Sequence, residues 1–156
     1  MSTNTFTTTS TTTTLNSGTS PGELDVPVDT VARPATLIQE STPLPEAWAR
    51  LHHDEDRCGI VLRGGLPIAI VTAGGLAESW PVGGPLAQCR VTVHDVLDRP
   101  GGVGVLSPHD SLPHAGHRLL ATGLPALPVR AMDDGALRVV TTTRLLAALL
   151  AGGARP

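Results

Sequence analysis

The stretch SLPHAGHRLLATGLPALPVRAMDDGALRVVTTTRLLAALL, residues 111–150, decides the fold of this chain. Apolar residues at helical spacing come first, and the short apolar run Ala126-Leu127-Pro128-Val129 follows them. A turn signal at Asp133-Asp134-Gly135 leads to a second run, Leu137-Arg138-Val139-Val140, and then to a helical segment that begins at Thr142. The predicted order is therefore helix, strand, tight turn, strand, helix.

This unit has an earlier counterpart between residues 43 and 80, with the same order of helix, strand, turn, strand and helix. Two short strands and two helices expose more apolar surface than they cover, so one unit needs the other to close a core. Identical residues recur at a constant offset, which is typical of an internal repeat. They are Leu44, Pro45, Ala47, Leu51 and Val61, which recur as Leu112, Pro113, Ala115, Leu119 and Val129, and Thr72, which recurs as Thr141 after a one-residue shift.

At these residues the chain resembles a tandem pair of CBS domains, the small regulatory modules named after cystathionine β-synthase. Leu127-Pro128-Val129 and Val139-Val140-Thr141 match the family pattern in the second copy, and Ile60-Val61 and Ala69-Ile70-Val71-Thr72 match it in the first. The resemblance implies an α/β fold in which two β-α-β-β-α repeats pack as a pseudo-twofold pair.

The resemblance also sets the expected domain boundaries. Residues 26–82 form the first CBS domain, residues 83–92 a linker, and residues 93–152 the second CBS domain. A short helix precedes each domain of the family, and residues 93–97 and 28–32 are the segments expected to form it.

The ligand implied by the resemblance is an adenosine compound such as AMP, ADP, ATP or S-adenosylmethionine, held in a cleft between the copies. The strand after the first helix of a copy offers backbone groups to the base, which indicates Val61 in one copy and Leu127-Pro128-Val129 in the other. The Thr that closes the last strand contacts the ribose or phosphate, and Thr72 and Thr141 hold that position.

The chain departs from the family pattern beside both threonines. The family places an Asp three residues after the Thr, to hold the ribose hydroxyls, and this chain has Gly75 and Arg144 there. The Gly that usually comes three residues before the Thr is replaced by Ala69 and Arg138.

Arg138 and Arg144 flank Thr141, and two hypotheses follow from that placement. The guanidinium groups could face a phosphate or a carboxylate, which would select a more anionic ligand and favour the second copy as the site. Alternatively, they point to solvent or pair with Asp133, Asp134 or a partner chain.

Composition and motifs exclude several function classes. The net charge is −3, every basic residue is Arg, and aromatic residues make up 2%, so neither clustered cations nor stacking aromatics indicate nucleic-acid binding. The doublets Gly74-Gly75 and Gly101-Gly102 are explained by backbone geometry at turns or helix starts. His114 and His117 share a helical spacing, but a solvated face explains them better than a metal does. We therefore expect no catalytic site and no metal.

The remaining features concern the environment of the protein. Residues 1–22 are rich in Thr and Ser, which predicts a disordered tail without the basic and apolar regions of a secretory signal. Cys58 and Cys89 are expected to be reduced, and no apolar run is long enough to span a membrane. These features indicate a cytoplasmic protein.

The segment from Arg144 to Leu150 is apolar around most of a helical circumference, which predicts a homodimer. Two functions remain open at this point. One is a non-enzymatic sensor of a small ligand, a nucleotide or related anion. The other is a ligand-free dimerisation or docking module that acts in trans on an unidentified protein partner.

Overall fold

The computed structural model describes residues 26–98 and 101–152, which form two α/β repeats. The predicted disordered tail, residues 1–22, lies outside the described residues. Within them the predicted fold class is confirmed, because helices pack with strands that assemble into two small sheets, one for each repeat. No helix of the described part has both the length and the apolar character needed to cross a bilayer.

The first repeat follows a short 3₁₀ turn at Val28–Thr30 and carries the sheet β2-β3-β4, in which β2 is parallel and β4 antiparallel to β3. Its helix α2 ends before Trp80, where the sequence predicted its end, because Pro81 disfavours helical geometry in the preceding residue. The elements are β1 (Arg33–Pro34), β2 (Thr36–Gln39), α1 (Leu44–His52), β3 (Cys58–Arg63), β4 (Leu66–Thr72) and α2 (Ala73–Glu78).

The second repeat carries the sheet β1-β6-β5, so its third strand comes from the start of the chain. Its own first strand is reduced to a single parallel bridge between Leu106 and Val129. This bridge has the same register as the Ile38–Val61 pair of the first repeat. The elements are α3 (Gly84–Arg90), α4 (Val93–Val96), α5 (Leu112–Thr122), β5 (Ala126–Arg130), β6 (Leu137–Thr141) and α6 (Thr142–Gly152). Helix α3 occupies the segment that the sequence predicted as linker.

Helix α5 shows why the sequence folds locally as predicted. The Ser111 hydroxyl accepts a hydrogen bond from the backbone N–H of His114 at 3.3 Å, so Ser111 caps the helix. Pro113 lies in the first turn, and Gly123 ends the helix in the left-handed conformation with φ 66°.

Each repeat builds its core partly from the segment that precedes the other repeat. Val28 packs with the second repeat's core, beside Leu106, and Val93 of α4 packs in the first repeat's core, beside Ile38. Both valines are fully buried. The backbone N–H of Val93 donates to the Thr42 carbonyl at 2.9 Å, which ties α4 to the first repeat.

A third apolar cluster joins the two repeats. It consists of Cys58, Ala126 and Val139, with Ala35 and Ile70 packed around it. Burial and the nearby Asp56 carboxylate raise the pKa of the Cys58 thiol to about 11. Cys89 is exposed and is not bonded to Cys58. The small residues at this junction let the two sheets approach closely.

Candidate functional site

A cleft of about 650 Å³ opens between the repeats. Strand β4 and helix α2 form one side of it. Residues 96–98 and 101–104 form another side, and the junction between α5 and β5 forms the third. The chain therefore assembles the cleft from parts of both repeats.

Polar groups at the two ends of α2 lie beside apolar walls in this cleft. Ile70 and Leu124 contribute apolar surface. The Thr72 hydroxyl accepts a hydrogen bond from the Gly75 N–H at 3.0 Å, and the Ser79 hydroxyl donates to the Gly75 carbonyl at 3.1 Å. A hydroxyl can both donate and accept hydrogen bonds. The Thr72 hydroxyl uses an acceptor position to cap α2 and can still donate a hydrogen bond.

The charged side chains among the described lining residues are Glu78 and Asp98, and both are acidic. A carboxylate accepts hydrogen bonds from hydroxyl groups and repels phosphate. These carboxylates suit ligands that present hydroxyls, and the Arg118 guanidinium, which lies against the lining residue Gly104, places one positive charge at the edge of the cleft.

Glycines keep part of the cleft wide. Gly101 and Gly102 line it, and a side chain built at either position would meet no atom within 4 Å. The sequence indicated only a turn or helix start at this doublet, with no signal for a site. In the structure the doublet lies between α4 and α5.

The sequence-predicted ligand residues do not all meet at this cleft. Thr72 and Leu127 line it. Val61 and Val129 are fully buried in the separate cores of the two repeats, where they pack against apolar neighbours. The carbonyl of Pro128 accepts a hydrogen bond from the Leu106 N–H at 2.8 Å. That backbone group is thus already used within the second repeat.

Thr141 and Arg144 lie together at the start of α6, away from the described lining of the cleft. The buried Thr141 hydroxyl accepts from the Arg144 N–H at 3.3 Å. The Arg144 guanidinium contacts the first repeat: its Nε lies 2.9 and 3.0 Å from the two carboxylate oxygens of Asp56. Its Nη2 lies 3.2 Å from Glu55 Oε1. Hydrogen bonding to Asp56 raises the pKa of Arg144.

Arg138 lies in β6, which is the central strand of its sheet and not an edge strand. Its Nη1 is 3.5 Å from Asp29 Oδ1, and its Nη2 is 3.4 Å from Asp133 Oδ2. The pairing with Asp133 is the one that the sequence offered as an alternative to ligand binding.

A second concave surface, the tryptophan groove, lies on the helices of the first repeat. It has a volume of about 480 Å³ and is lined by Pro45, Trp48, Ala49, Ala77 and Trp80. Its two indole rings meet edge to face, with centroids 6.1 Å apart. Both tryptophans of the chain are in this groove, which gives it the aromatic composition of an interaction surface.

The paired repeats, the register of their sheets and the cleft between them define the fold of a tandem CBS-domain pair. A CBS domain-containing protein of unknown function from Kribbella flavida aligns with 80% of this chain over 99% of its own length, with a TM-score of 0.62 and 16% identity. The CBS domains of a transcriptional regulator from Streptococcus pneumoniae align with 78% of this chain over 98% of theirs, with a TM-score of 0.59 and 14% identity.

A third similar structure is the CBS domain of the bacterial CNNM/CorC family Mg²⁺ transporter in complex with ATP. It aligns with 80% of this chain over 87% of its own length, with a TM-score of 0.64 and 13% identity. No family model matches the sequence, and no curated protein matches it. At these identities the likeness establishes the fold, and the function has to be argued from the site.

Proposed function

We propose that this protein is a regulatory module that senses a nucleoside or nucleotide in the cleft beside Thr72. The observation that carries the proposal is the cleft itself, because its volume of about 650 Å³ lies within the usual range for small-ligand sites. Its apolar walls suit a flat base, and the Thr72 hydroxyl suits a ribose or phosphate oxygen.

The charges of the cleft refine the choice of ligand. The ATP complex of the similar transporter domain supports a nucleotide as the class of ligand. Glu78 and Asp98 can accept hydrogen bonds from ribose hydroxyls. Gly75, which holds the position of the family's Asp, has no side chain for this role. Because the same carboxylates repel phosphates, AMP and S-adenosylmethionine are expected to bind more tightly than ATP.

A thermal-melt titration with AMP, ADP, ATP and S-adenosylmethionine tests the proposal. A ligand at a hundred times its dissociation constant stabilises by about 2.7 kcal/mol, which should raise Tm by roughly 5–10 °C. Thr72→Val should weaken binding several-fold. Thr141→Val is the matched control, because it also removes a capping hydroxyl but lies outside the described cleft lining. No shift with any of the four ligands, or equal losses in the two variants, would overturn the proposed site.

We assign no catalytic step to the protein, and we propose that it acts in the cytoplasm as a homodimer. The tryptophan groove supports the dimer, as do the exposed apolar side chains of Leu120, Leu146 and Leu150 on the helices of the second repeat.

The same groove favours the second candidate function, a module that docks on a partner protein without a ligand. Analytical ultracentrifugation of the wild type and of Trp80→Arg shows whether the protein self-associates through the groove. Leu66→Arg is the control, since Leu66 is also exposed but lies outside the groove. Self-association lost only in Trp80→Arg supports the dimer. A monomeric wild type that binds none of the four nucleotides favours the docking module.

A further inference from the structure

Strand pairing fixes which positions of the two repeats correspond. Cys58 pairs with Thr72 in the first repeat, and Ala126 pairs with Thr141 in the second. Two residues before the first member of each pair come Asp56 and Leu124. These two positions are therefore equivalent under the pseudo-twofold relation.

The same reasoning equates Gly75 with Arg144, which come three residues after Thr72 and Thr141. Gly75 and Leu124 both line the open cleft. Their counterparts, Arg144 and Asp56, form an ion pair in which the Arg144 Nε–H is shared between the two carboxylate oxygens, at 2.9 and 3.0 Å. The pair Gly75 and Leu124 thus lines an open cleft, whereas the equivalent pair, Arg144 and Asp56, forms an ion pair.

Contacts within the first repeat, which do not involve Arg144, hold the backbone at Asp56 in place. Its backbone N–H donates to Asp54 Oδ1 at 2.9 Å, and Asp54 also accepts from the Thr36 hydroxyl. Arg57 adopts φ 50°, a left-handed conformation that turns the chain directly after Asp56. Both partners of the ion pair are largely shielded, with 16% of the Asp56 side chain and 19% of the Arg144 side chain exposed.

We propose that Asp56 is a tethered anion that occupies the second repeat's counterpart of the cleft. The carboxylate of the chain itself takes the place beside Arg144 that a small external oxyanion would otherwise fill. This closes the second position and leaves the cleft at Thr72 as the one open to ligands. Only the statement that ligands enter the cleft at Thr72 rests on the proposed function. The statement that Asp56 fills the position beside Arg144 rests on the contacts described above.

Chemical rescue with acetate tests the occupancy. In the full-length Asp56→Ala protein, Arg144 loses the Asp56 carboxylate and keeps only the exposed Glu55 as a partner, so Tm should fall by roughly 3–8 °C. Acetate, titrated against chloride at constant ionic strength, should restore more than half of that loss with saturation. If Asp56→Ala does not fold, Asp56→Ser serves in the same titration, because its shorter side chain also vacates the position of the carboxylate.

Two controls keep the result specific. The Asp56→Ala/Arg144→Gln protein should show no saturable rise with acetate. Glu46→Ala should show none either, since it frees Arg50 from an exposed pair, with 49% of the Arg50 side chain exposed, and offers no enclosed anion position. Acetate that fails to restore Tm, or restores it equally with Arg144 replaced, would overturn the inference. Neither result depends on nucleotide binding, so failure of the inference is distinguishable from failure of the proposed function.

Discussion

The two repeats share one backbone plan, yet of the two equivalent positions between them one is an open cleft and the other holds an ion pair. Gly75 and Leu124 line the cleft, and at the equivalent positions Arg144 pairs with Asp56. The two pairs of equivalent positions thus differ in side-chain chemistry, although their backbones correspond. Internal symmetry of a fold does not imply two equal sites.

A second difference lies in the strands that follow the first helices. Gly59 and Leu127 are equivalent, since each follows the residue that begins the pairing, Cys58 or Ala126. A side-chain carbon at Gly59 would come within 2.8 Å of Leu51 and of the Thr36 carbonyl. The first repeat is closely packed at this position, whereas the second places a full leucine there.

Leu127→Ala should have the largest effect, because this side chain is fully buried and also lines the open cleft. Truncation of a buried leucine costs about 2–5 kcal/mol, so Tm should fall by roughly 5–15 °C. Differential scanning calorimetry measures the change. Leu66→Ala is the control, because 68% of Leu66 is exposed and its loss should change Tm little. Equal changes in the two proteins would contradict the assigned core.

Gly75→Asp should make the first cleft resemble the family pattern more closely. The new carboxylate can accept from both ribose hydroxyls and should tighten adenosine binding about ten-fold, close to 1.4 kcal/mol. Adenosine is the suitable probe because it carries no phosphate, and isothermal titration calorimetry gives its affinity. Gly74→Asp, on the exposed adjacent position outside the described lining, is the control. A gain in both variants would show a general charge effect instead of a ribose contact.

Glu40→Gln should have the smallest effect and tests a cluster specific to the first repeat. Glu40 accepts two hydrogen bonds from Arg63, each at 2.8 Å, and lies 3.0 Å from His94. The position equivalent to Glu40 in the second repeat is Pro108, which has no carboxylate. The bonds from Arg63 lower the pKa of Glu40 below its ordinary value of 4.5.

A lowered folded-state pKa means that this stabilisation is complete above about pH 5 and disappears as the pH falls through the lowered value. Wild type should therefore melt slightly above Glu40→Gln at pH 7, and the two should converge as the pH falls below the lowered pKa of Glu40. Melting curves at a series of pH values give the comparison. A difference that does not shrink as the pH falls below 4.5 would assign the effect to packing.

The sequence predicted the repeat, the principal strands and the capped helices because their signals are local. It missed β2, a strand of only four residues, and α3, which lies among Gly and Pro residues. The site was harder to predict, because its lining comes from distant segments. The partner of Arg144 is 88 residues away along the chain, and no local pattern indicates that contact. The sequence therefore favoured the second repeat, whereas the cleft found in the structure lies at Thr72.

The exchange of Val28 and Val93 between the cores has a consequence for how the chain folds on the ribosome. The first repeat needs Val93 to fill its core, so it cannot finish folding when its own last helix, α2, has emerged. Synthesis has to continue through α4, and by then the chain has already entered the second repeat. Val28, by contrast, is synthesised before the other residues of the second repeat's core. The interval between completion of the two cores is therefore shorter than the interval between synthesis of their last helices, α2 and α6.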